Sequence, residues 1–166
     1  MNTSPKAPTF PQLLRHPEWL LLFGFGSGLS PKAPGTAGTL VAIPLFWFLS
    51  PLPLEQRLLV IGVMFALGVW LCDRYEAATG RHDEGGIVWD EIVGYFLALL
   101  GSQFIWWELI TAFVLFRLFD IWKPGPIGWL DRNVRHGFGV MVDDVAAGLA
   151  AAGVLLIIKQ IGWPIS

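Results

Sequence analysis

Carboxylates mark alternate ends of the apolar segments in this chain. Asp73 and Glu76 close one segment, Asp90 and Glu91 open the next, Asp120 closes a third, and Asp143-Asp144 open the last. If successive segments are antiparallel helices, all of these clusters arrive at the same end of a bundle. Ionisable groups at the edge of apolar spans are costly to hold there, so one-sided placement points to a built site rather than scattered surface charge.

The segments read as membrane helices. Of 166 residues, 54% are hydrophobic and 14% charged, more apolar surface than a soluble domain of this size buries. The expected fold is all-α: a small polytopic membrane helical bundle with a re-entrant or broken N-terminal helical segment. Residues 1–16 are polar and Pro-rich, without the layout of a cleaved signal peptide, and are expected to form a flexible cytoplasmic lead-in. Residues 17–166 then form a single membrane-embedded domain. The net charge is −2 and no basic block occurs, which argues against nucleic acid as a partner. Cys72 is the sole cysteine, which excludes an internal disulfide and a thiolate metal cluster, and its expected role is buried packing.

Residues 19–29 are too short to span and carry three glycines, Gly24, Gly26 and Gly28, so this segment is expected to lie at the interface or enter partway. A Pro/Gly/Ser/Thr loop, 30–39, precedes an apolar run at 40–49. Helices are predicted over 54–79, 87–107, 108–122 and 140–161. Walking this order puts Lys32, Arg74, Arg81, Lys123, Arg132 and Arg135 on one side, and only Arg57 and Lys159 on the other. By the positive-inside rule the first side, which is also the acidic side, faces the cytoplasm. Trp106-Trp107 and Trp163 suit the far interface. Charge-free stretches are short (58–72, 92–107, 145–158), which places the carboxylates near lipid-headgroup depth.

The acidic set suits a hard cation. Mg²⁺ takes carboxylates, waters and substrate phosphate, and there is no Cys or His pair at zinc spacing. The adjacent pairs Asp90-Glu91 and Asp143-Asp144 point about 100° apart on a helix, so one member of each could ligate while its neighbour orients. The competing reading is that such acids merely complement helix N-termini. That does not account for Asp120 at a helix C-terminus. Asp73 and Glu76 flank Arg74 and read as a solvated helix end, while Asp83 is either a site acid or a wet loop residue.

The 30–39 loop offers backbone N–H groups together with Ser30, Lys32, Thr36 and Thr39; a helix starting near Gly38-Thr39 would present an anion site. The alternative is a plain helix break. Arg117, Asp120 and Lys123 recur every three residues and share one helix face. They are either phosphate ligands or a self-neutralising ladder before Pro124. On the last helix Asp144, Gly148 and Ala152 form a small-residue stripe suited to close packing.

Four motifs together resemble the phosphatidylglycerophosphatase A family: Ser30-Pro31-Lys32-Ala33-Pro34-Gly35-Thr36-Ala37-Gly38-Thr39-Leu40, Ile87-Val88-Trp89-Asp90-Glu91-Ile92-Val93-Gly94, residues 116–126, and residues 137–148. The resemblance runs from about Pro17 into the last helix. It implies a Mg²⁺-dependent phosphatase of the bacterial inner membrane that removes the terminal phosphate of phosphatidylglycerophosphate. It also implies site roles for Asp83, Asp90, Glu91, Asp120, Asp143 and Asp144, and for Gly35, Thr36, Gly38 and Thr39 in the loop. Arg117 and Lys123 are then expected to stabilise phosphoryl charge. A His-nucleophile lipid phosphatase and a CDP-alcohol phosphotransferase are disfavoured, since their motifs are missing. A membrane cation carrier or channel could use the same acids, but would want them near the bilayer midplane.

Overall fold

A computed structural model describes residues 7–81, 84–134 and 136–162. Asp83, Arg135 and Trp163, each assigned a place from the sequence, lie outside the described residues. Among those described the chain is helical, with no strand. Two short helices, α1 (Phe10–Arg15) and α2 (Pro17–Leu22), lead into a 3-10 segment, Gly24–Leu29. That segment is broken where Phe25 and Gly26 take positive φ (59° and 99°), giving the interrupted N-terminal element expected from its glycines. Then follow α3 (Pro34–Leu49), α4 (Leu54–Thr79), α5 (Trp89–Ala98), α6 (Trp106–Trp122), α7 (Pro126–Asn133) and α8 (His136–Gln160).

Helices α4 and α8 are long and apolar enough to cross a membrane, with mean hydropathy 1.7 and 2.0, yet only 28% and 44% of their apolar windows is buried within the protein. A soluble core helix would bury more. Their outer faces, with Leu59, Val63 and Trp70 on α4 and Leu156 and Ile157 on α8, are exposed and apolar, as are Trp106, Ile110 and Ile121 on α6. An apolar exterior of this extent marks an interaction surface and is consistent with a small membrane helical protein. Cys72 is buried, as expected.

Helix α5 sits at the centre, packed by α3, α4, α6 and α8, and Ile92 to Ala98 are buried without interruption. Its length corrects the sequence expectation of a helix over 87–107. It stops at Ala98, about 15 Å long, half the thickness of a bilayer core. The reason lies at the far end of the bundle. Arg57, buried near the start of α4, donates to the carbonyls of Leu52 (2.9 Å), Leu100 (3.3 Å), Ser102 (2.5 Å) and Ser50, and its guanidinium stands 5.7 Å from the Phe46 ring centroid. Lys159 Nζ donates to Gly101 O and to Glu108 Oε2, both at 3.0 Å. Two cations thus satisfy three consecutive carbonyls in the turn that follows α5, and this lets the helix end inside an apolar stretch.

Replacing Arg57 by Met strands those carbonyls. It is expected to cost about 3 kcal/mol, since hydrogen bonds to a charged donor are the strong ones and unmatched buried acceptors keep their desolvation penalty. Thermal unfolding in detergent measures it; an unchanged midpoint would show that the knot is dispensable.

The opposite end gathers the N-termini of α3, α5 and α8 and the C-termini of α4 and α6. The other sequence boundaries shift modestly: 54–79 matches α4, ended by the left-handed cap at Gly80 (φ 70°). The last helix begins at His136 rather than 140, and the 123–139 loop contains α7. The 30–39 segment is corrected too. Helix begins at Pro34, a residue suited to the first helical position, so Gly35 to Thr39 form the first turns of α3 rather than an open loop.

Candidate active site

At that end Asp90, Glu91, Asp120, Asp143 and Asp144 line a single cavity of about 160 Å³. Glu84, Lys123 and Asp131 complete its polar wall. This is several times the share of one water, roughly 30 Å³, and suits a phosphate headgroup rather than a whole lipid. Asp143 and Asp144 stand seven and eight residues after His136, the first residue of α8, and so roughly 10–12 Å along the helix from its end. The cavity therefore lies well below the tip of α8 and level with the first turn of α5.

The carboxylates divide into two groups. Asp90, Glu91 and Asp144 converge, each offering an oxygen within 4.8 Å of the others. Asp90 and Glu91 occupy the first turn of α5, and Asp144 comes from α8, which crosses α5 in close contact. Asp90 Oδ1 and Glu91 Oε2 are buried and accept no hydrogen bond from the protein. Clustered buried carboxylates with open lone pairs fit a hard divalent cation such as Mg²⁺. The other two acids are held by cations. Arg117 Nη1 lies 2.6 Å from Asp120 Oδ2 and 3.8 Å from Glu91 Oε1, and Lys123 Nζ lies 2.6 Å from Asp143 Oδ2. Burial works against the Lys123 ammonium, but Asp131 and Asp143 outweigh it and hold its pKa above the ordinary lysine value.

The loop residues singled out in the sequence fall in different places. Gly35 abuts the site: a Cβ there would stand 2.1 Å from Glu91 Oε1. Gly38 packs on Val88, the residue before α5. Thr36 is half-buried and Lys32 exposed. The hydroxyls of Ser30 and Thr39 donate to the carbonyls of Lys32 and Gly35, both at 2.8 Å, so these side chains stabilise the entry to α3 instead of pointing at the cavity. Arg117 is engaged by Asp120 and Glu91, while Lys123 reaches the cavity wall. Asp73 accepts the Gly137 N–H at 2.7 Å and so anchors the first turn of α8.

Sequence reasoning missed Asp131 and Glu84. The signal for Asp131 was the Pro124-Gly125-Pro126 reversal, which turns the chain back into α7 and returns a carboxylate to Lys123 eight residues later.

The family model described as phosphatidylglycerophosphatase A matches residues 20–159. An Escherichia coli (strain K12) protein of that name is 44% identical over 153 residues, 92% of this chain and 88% of the relative. A Haemophilus influenzae protein of the same name is 44% identical over 88% of this chain and 91% of the relative. A Bacteroides thetaiotaomicron protein, named for phosphatidylinositol-3-phosphatase activity, is 41% identical over 76% of this chain and 83% of its own length. No solved structure matches the chain.

Proposed function

The chain belongs to the phosphatidylglycerophosphatase A family, and from that premise we propose that it is a Mg²⁺-dependent phosphatase hydrolysing the terminal phosphate of phosphatidylglycerophosphate to phosphatidylglycerol. The observation that carries the reading is the convergence of Asp90, Glu91 and Asp144 in a headgroup-sized cavity beside Lys123. We also propose that the protein resides in the bacterial inner membrane with this cavity on the cytoplasmic side. Lys32, Arg74, Arg81, Lys123 and Arg132 at the acidic end, against Arg57 and Lys159 at the other, support that orientation. A cysteine placed at Arg132 should then react with an impermeant thiol reagent only from the cytoplasmic side.

Asp90, Glu91 and Asp144 would hold the metal, which supplies Lewis acidity toward the phosphoryl oxygens when bound. Arg117 fixes Asp120 and steadies Glu91, so the ligating carboxylate keeps its orientation. Lys123 meets the phosphate as a point charge at the rim, and the first turn of α3 backs Glu91 and Arg117 through Gly35. Fixed in place before the substrate arrives, the Lys123 charge meets the phosphoryl oxygens without reorganisation. Water attacks phosphorus in line and gives up a proton to a carboxylate, the bond from phosphorus to the glycerol oxygen breaks, and that oxygen leaves with a proton returned by the carboxylate or taken from solvent. Asp83 is the proposed acceptor of the water's proton. It precedes Glu84, which lines the cavity.

The test is phosphate release by the purified protein in detergent, with Mg²⁺ and with EDTA, on phosphatidylglycerophosphate and on phosphatidylinositol 3-phosphate. Mg²⁺-dependent release from the first substrate is expected, and its absence sinks the reading. Mg²⁺ binding without any release would favour a cation carrier. Preference for the second substrate would move the headgroup assignment.

Gly35 supplies a further check. A methyl there meets Glu91 Oε1 at 2.1 Å and Arg117 Nη1 at 3.0 Å, both side-chain atoms able to swing aside. Gly35→Ala is therefore expected to spare stability but weaken Mg²⁺ binding and turnover about tenfold, the usual cost of disturbing a ligand's orientation. Calorimetric Mg²⁺ titration beside a melting curve separates the two effects.

A further inference from the structure

We propose that Asp131 is a positioning residue that holds the Lys123 ammonium at the cavity mouth and aims it at the phosphate, a role that rests on the phosphatase reading above. Three observations converge on it. Lys123 Nζ is shared between Asp131 Oδ1 and Asp143 Oδ2, and all three side chains line the cavity. An ammonium has three donors in fixed tetrahedral array. With two of them committed to carboxylates from different helices, the remaining donor is left for an incoming oxygen.

The backbone gives the second observation. Lys123 ends α6 in the left-handed region (φ 45°, ψ 55°), its N–H bonded to Phe119 O. Glycine normally takes that cap because a side chain is strained there. A lysine in the strained position indicates that the ammonium is needed where this conformation puts it. The third observation is the origin of Asp131. It stands on α7, an element reached through the reversal at Gly125 (φ 51°), packed on α8 and turned against Lys123 at Gly128, where a Cβ would stand 2.6 Å from Lys123 O. The lysine is therefore held between two separately anchored carboxylates. Without Asp131 the ammonium would fold wholly onto Asp143, becoming a closed ion pair that the phosphate must break.

The full chain in detergent, with Asp131→Asn, Lys123→Met, the double variant and Asp131→Glu, tests this in two ways. One measurement is kcat and KM on phosphatidylglycerophosphate with Mg²⁺. The other is calorimetric binding of inorganic phosphate, which needs no turnover. Asp131→Asn is expected to raise KM and weaken phosphate binding about tenfold while kcat changes less than about threefold, the pattern of a lost binding contact. In the Lys123→Met background the same change should add less than about twofold, because the two residues act as one unit. Asp131→Glu should recover most of the phosphate affinity. Unchanged phosphate binding in Asp131→Asn, or fully additive effects in the double variant, overturns the proposal. If the phosphate-binding pattern holds but the wild type releases nothing from the lipid, the positioning role stands and the assigned reaction falls.

Discussion

Asp144→Asn is expected to cut turnover about 10³-fold or more, because it removes one of the converging charges on which metal binding and phosphate neutralisation depend. The substitution keeps shape, and Asp144 is buried at 3% exposure, so a simple loss of packing is not at issue. Stability should move in two opposite ways. Without Mg²⁺, three buried carboxyl groups with oxygens within 4.8 Å of one another are costly to ionise together, and replacing one by a neutral amide is expected to raise the melting temperature. With Mg²⁺, the wild type gains stability by linkage, as RT ln(1 + [Mg²⁺]/Kd), and the variant should lose most of that gain. Melting curves with and without Mg²⁺, beside the phosphate assay, read both effects. A variant that melts lower in EDTA, and keeps its Mg²⁺-dependent shift, would make Asp144 a structural acid. Glu76→Gln, outside the cavity wall, should retain wild-type turnover.

The acidic end of the fold was legible because polarity at the ends of apolar runs is a local property. Asp90-Glu91, Asp120 and Asp143-Asp144 could be placed together from segment order alone, and they line one cavity. The span of α4 was legible for the same reason: Pro53 and Gly80 punctuate it. What escaped depends on partners distant in sequence. The early end of α5 follows from Arg57, more than forty residues upstream, taking the carbonyls of Leu100 and Ser102. Within residues 87–107 the local mark is Gly101-Ser102-Gln103, a short polar break just past the observed end. The start of α3 at Pro34 is ambiguous in the sequence because Pro and Gly signal a loop, while proline also suits a first helical turn. The sorting of the acids into a converging group and cation-held members depends on where Arg117 and Lys123 point, which spacing leaves open. Asp131 was hidden by its distance from the other acids and by the reversal that brings it back.

Gly148→Ala should couple stability to chemistry, and its size can be argued from the crossing of α5 and α8. A Cβ on Gly148 would stand 2.2 Å from Gly94 O and 3.1 Å from Leu97 Cβ, while one on Gly94 would stand 2.7 Å from Asp144 O. The obstacle at Gly148 is backbone, which cannot swing aside, so the helices must separate by about 1 Å to restore ordinary contact. Overpacking of this kind typically costs about 1–3 kcal/mol. The same displacement acts on the site, because Asp90 and Glu91 precede Gly94 by about one turn and Asp144 precedes Gly148 by one. Ligands held by two helices part when the helices part, and a misplacement of about 1 Å can cost about 10²-fold in rate. The small-residue stripe on α8 thus sets the distance across which the carboxylates converge. Gly153 on the same helix is the control: nothing lies within 4 Å of its Cβ position, so Gly153→Ala should leave turnover unchanged and stabilise by up to about 1 kcal/mol. Melting temperature, Mg²⁺ affinity and phosphate release on both variants decide the matter. Should Gly148→Ala lose stability yet keep wild-type Mg²⁺ affinity and rate, the α5–α8 contact is scaffold only, and the spacing of the acids is fixed elsewhere.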